Sequence, residues 1–93
     1  MKKTNTEMER VINKIYNNAC KRLIEDCESE MNEIIETKSQ EKFDSLVKKV
    51  NREMIAAKEI TPADVEVYFD TWHIISRALN DALVMQIQIN ANK

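Results

Sequence analysis

Between Val65 and Ile89 a largely apolar line recurs in steps of three and four, through Val65, Tyr68, Trp72, Ile75, Leu79, Ala82, Gln86 and Ile89. This is an unbroken heptad register. It predicts one core helix over 62–90, with Tyr68 and Trp72 buried and Phe69 at the rim of the stripe. The opposite side carries Glu66, Asp70, His73, Arg77 and Asp81. Ahead of it, Met8, Ile12, Ile15, Ala19, Leu23, Cys27, Met31 and Ile34 mark a first helix over 5–36. Their mean step is about 3.7, so the stripe turns by roughly 80° along the helix. Its two halves are then expected to face different neighbours, or the helix to bend. Phe43, Leu46, Val47, Val50, Met54 and Ala57 define a shorter helix between the two, over 40–58.

Three hydroxyl-led starts punctuate these stripes: Thr4-Asn5-Thr6-Glu7, Thr37-Lys38-Ser39-Gln40 and Thr61-Pro62-Ala63-Asp64. In each, a Thr side chain is placed to accept from the third backbone N–H while the acid or amide reaches back. Pro62 suits a first helical position, and it drives Thr61 out of helical geometry. The links between helices are short, so neighbours should run antiparallel. The expected fold is an all-α, up-down-up three-helix bundle with two long helices and one short middle helix, a single helical domain over 1–93.

Helix lengths carry a further expectation. A last helix of roughly 43 Å beside a middle one of roughly 28 Å should overshoot it by about ten residues. That overhang is approximately 81–90, where Val84 and Ile87 leave the regular stripe. A helix end that is apolar on several sides is normally covered. The start of the first helix, with Val11 and Ile12, should overhang at the other end. Val84, Met85, Ile87, Ile89, Val11 and Ile12 are therefore the expected interface residues, and a two-fold homodimer is the simplest cover.

Composition narrows the function classes. The 93 residues include no Gly and one Pro, which disfavours hairpins and phosphate-cradling loops. The net charge of -2 does not suit a general nucleic-acid binder. No apolar run approaches the ~20 residues of a membrane span, and the polar Thr4-Asn5-Thr6 follows the basic start where a signal peptide would be apolar. A cytoplasmic location is expected. Cys20 and Cys27 lie roughly 10 Å apart along one helix, too far to bridge, and read as small buried apolar residues.

Asp70, His73 and Arg77 share a helix side, but no nucleophile or second His stands in register, so local pairing on a solvated face is the expected role. The acidic run Glu25, Asp26, Glu28, Glu30, Glu33 and Glu36 reads as a solvated face, with an acidic docking surface as its alternative. Lys42, Lys48, Lys49 and Arg52 give the middle helix a basic side, the basis of a nucleic-acid accessory reading. Glu25-x-x-Glu28, then twelve residues, then Glu41-x-x-Asp44, resembles the signature of the all-α nucleoside-triphosphate pyrophosphohydrolases of the MazG type. The resemblance implies a Mg²⁺-dependent nucleotide hydrolase, with the two helical carboxylate pairs holding the ion over a phosphate. Against it, Glu41 and Asp44 fall opposite the apolar stripe of their helix, whereas a metal cage faces a bundle interior.

The leading expectation is a non-enzymatic small helical protein with no catalytic, cofactor or metal site. It would act by protein–protein association, as a subunit, adaptor or inhibitor of a larger assembly, with a phage or mobile-element inhibitor as one setting.

Overall fold

The computed structural model describes the backbone of residues 3–92 and the side chains of residues 6–92. Among them the chain is all-α, with no strand, and it forms five helices where three were expected. These are α1 (Lys3–Asp26), α2 (Glu28–Thr37), α3 (Gln40–Ala56), α4 (Pro62–Val67) and α5 (Thr71–Ala91). The helix start at Thr4 lies outside the described side chains.

The long first helix is interrupted once, at Cys27. Its φ of -122° and ψ of 26° leave the helical region, yet Cys27 N–H still reaches the Leu23 carbonyl at 3.0 Å and Met31 N–H the Cys27 carbonyl at 2.9 Å. The helix is interrupted without opening a loop. The cause is the spacing of the stripe: Ile15, Ala19, Leu23, Cys27 and Met31 recur every four residues, and a straight helix would swing that line through about 160°. All five are buried, so the backbone departs from a regular helix to keep them inward.

Helix α3 starts at Gln40, as expected, but from a different cap. Ser39, not Thr37, is its N-cap and accepts from Lys42 N–H at 3.2 Å, while Thr37 belongs to α2 and donates to the Glu33 carbonyl. Leu46, Val47, Val50 and Met54 are buried, and Ala57 lies past the helix end and is exposed. With no glycine in the chain, Lys38 and Lys58 take the left-handed positions after α2 and α3, at φ 55° and 63°.

The expected core helix is two helices. The Thr61 start forms as its residues suggest: the Thr61 hydroxyl accepts from Asp64 N–H, and the Asp64 carboxylate accepts from Thr61 N–H. The helix then ends after one turn and a half, because Tyr68 is extended, at φ -145° and ψ 102°. Asp70 restarts it, accepting from the backbone N–H of His73 at 3.1 Å. From Ile75 onward the stripe keeps its expected register, but its buried sector leans towards Thr71, Ile74 and Ala78 and leaves Trp72 at its edge. The buried line of α5 is Thr71, Ile74, Ile75, Ala78, Leu79, Ala82 and Gln86. Trp72, expected in the core, is 42% exposed, and Thr71 takes the inward place, its hydroxyl 3.1 Å from Asn51 on α3.

Hydrogen bonds give the directions of packing. Cys20 meets Ala78, Glu28 meets Gln86 and Asn32 meets Asn90, each pair 58 residues apart, so α1 and α2 run parallel to α5 in one register. Lys49 meets Glu30, Lys42 meets Glu33 and Arg22 meets Glu53, so α3 runs antiparallel to both. The result is a rod with principal extents of 48 × 23 × 21 Å and a single buried line of side chains from Val11 to Ile34 along its axis.

Candidate interaction surface

Four of the six expected interface residues are exposed on the second half of α5: Val84 at 54%, Ile87 at 49%, Met85 at 48% and Ile89 at 41%. They do not form one face. Helical geometry puts Val84 and Ile87 on the outer side, whereas Met85 is turned about 100° from Val84 towards the flank. Ile89 continues the inward line of Ala82 past the level where α3 begins. Ile87 also lines an open groove of about 300 Å³ with Ile34, Ile35, Phe43 and Leu83, closed at one end by Lys38, Ser39 and Gln40.

The expected overhang is smaller than helix length suggested. With α4 split off, α5 spans roughly 31 Å against roughly 25 Å for α3. Phe43, near the start of α3, already reaches the groove beside Ile87. The other two expected residues are elsewhere. Val11 is buried at the α4 end, among Arg10, Lys14 and Asp64, and Ile12 is half-buried in a different cavity. The reason is the turn at Tyr68, which lets α4 fold over the start of α1. In the parallel register, residues 84–89 lie level with 26–31, so they stand more than roughly 20 Å from Val11.

A polar ladder fixes the back of the same segment. Gln86 is 2% exposed, and its amide donates to Asn90 at 3.1 Å and to Glu28 at 3.5 Å, while Asn90 donates to Asn32 at 2.9 Å. A buried amide needs such partners, and they tie α5 to α2 behind Val84 and Ile87.

The charged faces pair with each other in part. Glu30 accepts from Lys49 at 2.6 Å and Glu33 pairs with Lys42 at 3.2 Å, so part of the acidic run meets part of the basic side. Lys49 holds the Glu30 carboxyl below its ordinary range, and Glu30 holds the Lys49 ammonium above its own. Arg22 spans from α1 to Glu53 and Glu59. Glu25, Glu28, Glu41 and Asp44 are all exposed; Glu28 is engaged by Gln86 and Asp44 by Gln40. Among the described residues no three His, Cys, Asp or Glu side chains converge as a metal cage would require. Asp70 touches the backbone N–H of His73 as a helix cap. Cys27 is buried and Cys20 half-buried, with its thiol 3.8 Å from the Ala78 carbonyl; both are free, and burial pushes both thiols up.

A second set of exposed apolar residues includes Phe69, expected at the rim of the stripe, Val65 and Trp72, expected on the stripe itself, and Ile55, which the pattern did not single out. Phe69 is 83% exposed at the α4–α5 joint, near Val65 and Trp72, and Ile55 lies one turn beyond Asn51, the partner of Thr71. A local signal for the restart is Asp70, a good N-cap residue three ahead of His73. No helix among the described residues is long and apolar enough to cross a membrane. Comparison of the chain with protein-family models, curated proteins and solved structures gave no match.

Proposed function

We propose that this protein works without catalysis, by protein–protein association, and that it pairs with a second copy of itself through Val84, Ile87 and the adjoining groove on α5. The observation that carries this reading is the half-exposure of Val84 and Ile87 beside a groove walled by Ile35, Phe43 and Leu83. Contiguous exposed apolar surface of this kind marks interaction sites on soluble domains. The Gln86 ladder supports it, because it holds the outer face of α5 rigid from behind, and a pre-organised face binds at lower entropic cost. A two-fold pairing would place the same face of each copy together. The role is that of a subunit, adaptor or inhibitor of a larger assembly, in the cytoplasm.

Light scattering on the purified protein at tens of micromolar tests the pairing, with the Val84→Glu, Ile87→Glu double variant as control. A dimer that the variant dissociates supports it. A monomeric wild type overturns the homodimer, and a variant that stays dimeric moves the interface away from α5.

A further inference from the structure

Tyr16 on α1 and Tyr68, the extended residue between α4 and α5, wall a cavity of about 300 Å³. Its floor is aliphatic, formed by the buried Ile74 and the half-buried Ile12. Its rim is polar: His73 and Arg77 stand one turn apart on α5, with Asn13 on α1. Arg77 has no ion-pair partner among the described side chains. The carboxylate one turn further along, Asp81, accepts the Tyr16 hydroxyl instead. The cavity therefore combines two aromatic walls, an apolar floor and a guanidinium free to take an anion. The groove at Ile87 is ten residues further along α5, roughly 15 Å away, so the association reading does not use this cavity.

We infer that this cavity binds a small aromatic monocarboxylate, with its ring against Tyr16 and Tyr68 over Ile12 and Ile74, and its carboxylate on Arg77. Each part of the class follows from the lining. A volume at the low end of ligand sites limits the occupant to one or two rings. Aromatic walls favour a flat π-system in stacked or edge-to-face contact. The guanidinium fork matches a carboxylate in two parallel hydrogen bonds. Asp70 and Asp81 lie beside the rim, and their repulsion favours a singly charged acid over a doubly charged phosphate.

The test is titration of the whole chain with indole-3-carboxylate, followed by calorimetry and by the methyl resonances of Ile12 and Ile74. Indole-3-carboxamide and phenyl phosphate are the comparison probes. Saturable shifts of both methyls by the acid are expected. The amide should bind about tenfold or more weakly, and Arg77→Gln should weaken the acid similarly, the size of one charge-assisted hydrogen bond. Arg77 is exposed, so the variant should keep its circular dichroism, and Val84→Glu should bind the acid as the wild type does. No saturable shift up to roughly 5 mM, or equal binding by the amide, overturns the inference. So does tighter binding of phenyl phosphate, or an Arg77→Gln protein that binds the acid unchanged.

Discussion

Lys14 on α1 meets Asp64 on α4 at 2.7 Å, across fifty residues of chain, and the same Asp64 carboxylate closes the capping box with Thr61. One buried side chain thus both starts α4 and docks it. Ile60, just ahead of Thr61, is buried, so the joint has an apolar anchor beside the ionic one.

That arrangement predicts acid sensitivity. Burial alone would push the Asp64 carboxyl up, but the Lys14 ammonium and Thr61 prevail and hold it below the ordinary carboxylate range. A carboxyl lowered in the folded state stabilises the fold above its unfolded value of about 3.9, and the contribution disappears as pH falls through the lower folded value. Asp64→Asn should lose about 1–3 kcal/mol at pH 7 and show a flatter decline in Tm between pH 6 and pH 2. Some decline should remain, because Glu30 is lowered by Lys49 in the same direction. Melts that run parallel in the two proteins would remove Asp64 from this role.

Gln86→Glu should behave in the opposite sense. It sets a carboxylate against Glu28 at a position only 2% exposed. A buried charge facing a like charge is costly, and a loss of about 2–4 kcal/mol at pH 7 is expected. Part of it should return as pH falls and the new carboxyl takes up a proton. Gln86→Leu, which adds no charge, should lose less; urea denaturation at pH 7 and pH 5 separates the two.

Trp72 and Ile75 share the heptad line but not its environment. Ile75 is fully buried, and Ile75→Ala should cost about 2–5 kcal/mol. Trp72→Ala should cost about 1–2 kcal/mol, since much of the ring already meets water. Iodide quenching of the single tryptophan supplies a second reading: strong quenching in the native protein is expected, and a fully shielded ring would contradict the exposure.

Lys58 holds a left-handed conformation at φ 63° with a Cβ that disfavours it. Lys58→Gly should therefore raise stability by about 0.5–1 kcal/mol, and Arg52→Gly within α3 should lower it by about 1 kcal/mol. Equal losses in both variants would mean that the turn after α3 is not strained.

Much of the core could be read from residue types alone. Ile15, Ala19, Leu23, Cys27, Met31, Leu46, Val47, Val50, Ile75, Leu79 and Ala82 are buried where their stripes placed them. Burial of apolar surface depends on local periodicity, which is written in the chain. The Thr61 box was also legible, since both of its hydrogen bonds lie within four residues. Val84 and Ile87, which interrupt the stripe, are exposed.

The breaks were legible only as hints. The drift of the first stripe left a bend of that helix open, and Asp70 is a good N-cap residue, but at Cys27 and at Tyr68–Asp70 no Gly or Pro marks an interruption. What decided them is long-range. A four-residue repeat had to stay against α3 and α5, and α4 had to reach Lys14, fifty residues away. Such contacts outweigh the few hydrogen bonds that a continuous helix would have kept. The same turn lets α4 cover Val11 and sets Tyr68 against the cavity it shares with Tyr16. The composition of each stripe therefore settled which residues are apolar enough to be covered. Only the packing of helices distant in sequence decided which of them are covered, and by what.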